Sequence, residues 1–212
     1  LLTMTNSNQL SVDKKNIDTI LVLDFGSQYT QLIARRIREL DVFSIILPWD
    51  ISNERIAALN PTGIILSGGP ESVTKNNTPR IPKIIFDLDV PILGICYGMQ
   101  TLAEQYGGQV TASKTKEFGH ASITLEKAST LFHDFDAGSI IDVWMSHGDH
   151  VSTLPDQFNL IASTPSAPIA GMAHSEKPIY ALQFHPEVTH TKEGNVVLEN
   201  FVFRICNCQA QW

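Results

Sequence analysis

Pro91-Ile92-Leu93-Gly94-Ile95-Cys96-Tyr97-Gly98-Met99-Gln100 joins an apolar run to the opening of a helical pattern. The run 91–95 suits a short strand buried on both faces. From Tyr97 onward, Met99, Leu102 and Tyr106 recur at helical spacing, and Gly107-Gly108 supplies a C-terminal stop. Side chains at 94 or 98 would crowd so tight a turn, so the two glycines make the unit a strand, a sharp elbow and a helix.

The same alternation fills the chain upstream. Strands are expected at 19–23, 43–47 and 63–66. Helices are expected from about 29, where Leu32, Ile33, Ile37 and Leu40 form one stripe, and at 53–59 and 81–88. Repeated β-α units predict an α/β fold, a mostly parallel central sheet with helices on both faces. After residue 109 the pattern becomes strands separated by turns, at 119–125, 140–145, 158–162, 169–173 and 179–184. These read as a mixed or antiparallel extension of the same sheet rather than a second domain. A last helix is expected over 194–206. The folded domain is placed at 18–208, with a polar, aperiodic arm over 1–17. Residues 209–212 are taken as the start of a linker, and the end at Trp212 looks like a cut.

Of the 212 residues, 43% are hydrophobic and 17% charged, which is enough apolar material for a sizeable core. The net charge of −7 argues against a broad basic patch for nucleic acid or an anionic membrane. Three cysteines give no disulfide framework and point to a reducing, cytoplasmic setting. The apolar runs fall far short of the roughly 20 residues that cross a bilayer, and the first fifteen residues lack the order of a signal peptide.

Cys96 sits where such elbows carry their nucleophile, at a helix N-terminus that favours the thiolate. A buried structural cysteine is the plain alternative. A thiol nucleophile needs a base, and His185 ends a predicted strand just before Pro186. Proline biases His185 toward an extended backbone, which puts Glu187 on the same side as the imidazole, in position to orient it. Strand C-terminal ends gather at one edge of a parallel sheet, where Cys96 and His185 can meet. Ser67-Gly68-Gly69-Pro70 opens at that same edge. The N–H groups of Gly69 and Tyr97 are the candidate oxyanion donors. Ser67-Gly68-Gly69-Pro70-Glu71-Ser72 also looks like a nucleotide-binding loop, but Pro70 removes a donor such a loop needs. His147-Gly148-Asp149-His150 reads as a loop and Cys206-x-Cys208 as structural or exposed, and neither has partners at metal-ligand spacing, so no metal is expected. Arg35, Arg36 and Arg38 are read as a solvated helix face.

With Cys, His, Glu and the Gly-Gly loop in this order, the chain resembles the class I, or triad, glutamine amidotransferases over about residues 19–208. Leu23-Asp24-Phe25-Gly26-Ser27-Gln28-Tyr29, Leu66-Ser67-Gly68-Gly69-Pro70-Glu71-Ser72, Trp144-Met145-Ser146-His147-Gly148-Asp149 and Gln183-Phe184-His185-Pro186-Glu187-Val188-Thr189-His190-Thr191 resemble its GMP-forming branch more narrowly. Tyr97 after the nucleophile, where other branches usually have Leu, points the same way. The resemblance implies a flavodoxin-like three-layer sandwich. It implies Cys96 as nucleophile, His185 as acid/base, Glu187 as its orienting partner, and Gly69 and Tyr97 as the oxyanion hole. Gly68 and Gln100 would help hold the substrate amide, and Ser146, His147 and Gly148 its amino-acid end. The implied reaction is hydrolysis of L-glutamine to glutamate and ammonia. The implied partner is an ATP-pyrophosphatase synthetase domain that aminates xanthosine monophosphate; ATP and Mg would belong to that domain, and no cofactor to this chain. The rival readings are a γ-glutamyl hydrolase on the same elbow and a catalytically silent glutamine-binding domain.

Overall fold

A computed structural model describes residues 17–212; the expected arm over 1–17, apart from Ile17, lies outside the described residues. Five parallel strands form one half of the sheet: β1 (Thr19–Asp24), β2 (Phe43–Pro48), β3 (Gly63–Leu66), β4 (Ile92–Ile95) and, late in the chain, β9 (Ile179–Leu182). Their spatial order, β2-β1-β3-β4-β9, is the flavodoxin-like arrangement. β5 (Gln109–Leu125), β6 (Ile140–Thr153), β7 (Phe158–Ser163) and β8 (Gly171–His174) complete a nine-stranded sheet as its antiparallel extension.

Alternation along β1 builds both cores. Ile20 and Val22 face one side with Ile33 and Ile37 of α1 (Thr30–Glu39) and Val197 and Leu198 of α5 (Gly194–Glu199). Leu21 and Leu23 face the other, with Ile56 of α2 (Asn53–Leu59), Ile85 of α3 (Lys83–Asp87) and Met99 and Leu102 of α4 (Tyr97–Gln105). The three layers expected from the sequence are therefore present. No described helix is long and apolar enough to cross a membrane.

Three expectations need correction. Residues 147–150 are not a loop but part of β6, which pairs with β5 through His147↔Glu117 and Asp149↔Ala112. A register shift between Ala112 and Glu117 pushes residues 113–116 out of that ladder. The last helix is α-helical only to Glu199; Asn200–Ile205 is a π-turn, with Cys206 N–H donating to the Phe201 carbonyl at 2.8 Å. The α1 arginines are not simply solvated. Arg36 Nε donates to the Glu187 carbonyl at 2.9 Å, and Arg38 donates to the Ser44 carbonyl at 2.7 Å, while Arg35 stays exposed beside Glu39.

Candidate active site

The parallel registers decide which residues meet. Leu66 pairs with Gly94 and Ile95 with Leu182, so the chain segments leaving β3, β4 and β9 emerge side by side. Cys96 follows β4 directly, with its N–H on the Leu182 carbonyl at 2.8 Å. Its backbone sits at φ +53°, ψ −107°, which is strained for a residue bearing a side chain. Gly98 is required here by close approach, because a Cβ would lie 2.6 Å from the Leu66 carbonyl oxygen. Cys96 thus occupies a strand–elbow–helix turn in geometry as well as in sequence, at the N-terminus of α4 and only 5% exposed.

His185 lies three residues past β9. Its Nδ1 is 2.6 Å from Glu187 Oε1, in a pair whose side chains are 4% and 0% exposed. Further contacts hold the segment in place. His185 N–H donates to the Trp144 carbonyl at 3.1 Å, Thr191 Oγ1 donates to the His185 carbonyl at 2.7 Å, and the Tyr29 ring meets the imidazole edge-on at 5.1 Å. Burial disfavours the imidazolium, but the Glu187 carboxylate and the neighbouring Cys96 sulfur outweigh it and hold the His185 pKa well above its usual value. The i, i+2 spacing read from the sequence is what brings the pair together.

Gly68 packs against both groups: a methyl at its Cα would touch His185 Cε1 at 3.3 Å and Cys96 Cβ at 3.5 Å. The Gly68 carbonyl accepts from Ser67 Oγ at 2.8 Å, and Ser67 Oγ accepts from Phe25 N–H at 2.9 Å in a fully buried position. The C=O and N–H of one peptide point opposite ways, so this bond turns the Gly69 N–H away from the Ser67 hydroxyl. Among the described residues, neither the Gly69 N–H nor the Tyr97 N–H has an acceptor. Gln183 was not singled out as a site residue from the sequence; it is fully buried. Its Nε2 lies 3.6 Å from Cys96 Sγ, and its Oε1 accepts from Gln100 Nε2 at 3.3 Å.

A cleft of about 490 Å3 opens beside Cys96, lined by Gly69, Gln100, Ser146, His147, Gly148 and Asp149, with Glu71, Lys75 and Lys116 toward its charged side. That volume suits a small metabolite. The Ser146 carbonyl accepts from Cys96 Sγ at 3.4 Å. The Gln100 amide donates to the Asp149 carbonyl at 3.0 Å, so it braces β6 as well as facing the cleft. His147 is occupied by Glu117 at 2.9 Å and the Asp149 carbonyl at 2.7 Å. Both ring nitrogens of His147 are therefore engaged within the protein.

The residue pattern of the glutamine amidotransferase class-I family matches residues 21–205. The chain belongs to that family. It is 57% identical over 199 residues to the glutamine-hydrolysing GMP synthase of Teredinibacter turnerae, covering 91% of this chain and 38% of that protein. The corresponding enzyme of Hamiltonella defensa is 56% identical over 206 residues, covering 93% of this chain and 39% of its own length. The chain therefore spans about two fifths of these curated relatives. A Thermoplasma acidophilum protein, provisionally named as one subunit of a GMP synthase, superposes with a TM-score of 0.80 at 38% identity, over 90% of this chain and 94% of that one. A glutamine amidotransferase from Thermotoga maritima shares the fold, with a TM-score of 0.70 at 18% identity over 89% and 98% of the two chains.

Within this amidotransferase site, Gly69 leaves no room for a side chain. A Cβ there would lie 2.5 Å from the Phe25 carbonyl oxygen, a backbone atom that cannot rotate away. Gly69→Ala is expected to displace its N–H and lower kcat by about 10²- to 10³-fold, the usual effect of losing one oxyanion donor. KM should change much less. Steady-state kinetics on the variant, with circular dichroism as a control for folding, check this.

Proposed function

We propose that the chain is the glutaminase unit of a GMP-forming enzyme. One observation carries the reading: a strained Cys96 elbow beside a buried His185–Glu187 pair, with Cys96 opening on a cleft that admits a small metabolite. In this reading, Cys96 thiolate attacks the glutamine side-chain carboxamide, and the oxyanion is stabilised by the N–H groups of Gly69 and Tyr97. The His185 imidazolium gives its proton to the departing nitrogen, and ammonia leaves a γ-glutamyl thioester. His185 then takes a proton from water as the water attacks, and glutamate is released. Glu187 holds the ring and stabilises its charged form throughout. Gln100, Gly68 and the backbone of Ser146, His147 and Gly148 hold the substrate. This step uses no cofactor.

The relatives extend well beyond the aligned region, and that remainder is the proposed partner. It would be an ATP-pyrophosphatase synthetase, with ATP and Mg on its own side, that uses the ammonia to aminate xanthosine monophosphate. Three free thiols fit a cytoplasmic setting. Glutamate release from glutamine, compared with release from γ-glutamyl peptides, separates this reading from a γ-glutamyl hydrolase. Preference for the peptides would overturn it. A second expectation concerns coupling. Ammonia made without an acceptor is lost, so slow hydrolysis is expected from the chain alone and a higher rate once the synthetase portion, ATP and xanthosine monophosphate are added. An unchanged rate would show that the site is assembled autonomously.

A further inference from the structure

A second cavity, of about 250 Å3, meets the first at Cys96. The two share Gly69, Pro70, Cys96 and Ser146, but only the smaller one is lined by His185, and its remaining wall is Gly26, Ser27, Gln28 and Tyr29. Resting on the glutaminase reading, we propose that this cavity is a chamber for the small reactants. It would hold the ammonia that leaves and the water that replaces it, with the Ser27 hydroxyl as the hydrogen-bond donor that positions both.

The argument follows the four substituents of the tetrahedral carbon. One is Cys96 Sγ. A second, the oxyanion, faces the Gly69 and Tyr97 N–H groups. The third, the carbon chain, leads to the amino-acid end, which needs the larger and more charged cleft. The fourth is the amide nitrogen, which must face His185 to be protonated, and the cavity on that side is the smaller one. Deacylation runs from the same side. Water gives a proton to His185, its oxygen bonds to the thioester carbon, and the C–S bond then breaks to return Cys96 thiolate. The attacking water therefore has to stand where ammonia stood.

Ser27 is placed for this task. A methyl on Gly68 would touch Ser27 Oγ at 3.6 Å as well as His185 and Cys96, so the three side chains surround one small volume. Ser27 Oγ accepts from the Tyr29 N–H at 3.0 Å, and among the described residues its own hydrogen has no acceptor. A hydroxyl hydrogen can be donated to the lone pair of ammonia or of water. The loop is braced from below by Asp24, whose Oδ1 accepts from Gly26 N–H and Thr30 Oγ1, each at 2.8 Å. A chamber of this size has room for several water-sized molecules, at about 30 Å3 each.

The test varies the leaving group and the incoming nucleophile and leaves the amino-acid end alone. Glutamine is compared with γ-glutamylmethylamide as substrate, and hydroxylamine competes with water for the thioester, giving the hydroxamate. Ser27→Leu narrows the chamber where it meets His185 and Cys96. It is expected to lower kcat/KM for the methylamide at least about tenfold more than for glutamine, the scale on which a full pocket rejects one added methyl. It is also expected to cut the hydroxamate-to-glutamate ratio. Ser27→Ala should slow deacylation, so that the thioester accumulates in intact-mass spectra during turnover. An equal loss on both substrates with an unchanged hydroxamate ratio would overturn the assignment. If Ser27→Leu does not fold, Ser27→Ala decides: a thioester that does not accumulate during turnover would overturn the assignment. Absence of glutamate even with the synthetase portion, ATP and xanthosine monophosphate present would overturn the glutaminase reading itself, and the chamber with it.

Discussion

Cys96→Ala is expected to remove glutamine hydrolysis, with a loss on the order of 10⁶-fold, as when other triads lose their nucleophile. No second thiol can take over. Cys206 and Cys208 are buried, and burial together with the adjacent Cys208 pushes the Cys206 thiol well up from its usual value, so it stays protonated. The fold should survive, because alanine keeps the Cβ and the turn is built by Gly94 and Gly98. A companion variant separates chemistry from strain. At φ +53° a side chain costs on the order of 1–3 kcal/mol, which glycine avoids. Cys96→Gly is therefore expected to be equally inactive yet to melt at a higher temperature than Cys96→Ala. A fall in melting temperature on going from alanine to glycine would mean that the elbow is not strained.

His185→Ala and Glu187→Gln are expected to differ in size. Losing the base should cost on the order of 10⁶-fold in kcat, and losing only its charged partner on the order of 10⁴-fold. The amide that Glu187→Gln introduces can still accept a hydrogen bond from Nδ1 but cannot stabilise the imidazolium. The titration of His185 reports the same contact independently. Burial lowers its pKa and Glu187 is the largest influence that raises it, so neutralising Glu187 leaves burial less opposed. The His185 pKa should fall markedly, which NMR of the imidazole would detect. Equal losses of activity in the two variants, with an unmoved titration, would show that Glu187 is not the orienting group.

Much of this architecture was legible because burial imposes pattern. The strand segments at 20–23, 63–66 and 92–95 are apolar throughout, since both faces are covered, and the glycines around Cys96 mark a turn that no other residue allows. The grouping of the proposed triad was legible for a local reason: two of its members stand two residues apart, and the third sits in an elbow. The ribbon of β5 and β6 was only half seen. Residues 109–118 of β5 are largely exposed on both faces, so no buried side writes an alternation into the sequence. The π-turn after Glu199 was invisible because Phe201, Val202 and Ile205 also satisfy α-helical spacing. Contacts that cross the fold left no trace either. Arg36 reaches Glu187 over 151 residues, and Gln183 reaches Cys96 over 87.

The most direct measurement is covalent trapping with a glutamine-like electrophile, followed by peptide mass spectrometry of the unsubstituted chain. The account predicts one adduct, on Cys96, formed more slowly when glutamine competes and absent from Cys96→Ala. An adduct mainly on Cys206 or Cys208, or labelling of Cys96 that glutamine does not slow, would contradict it.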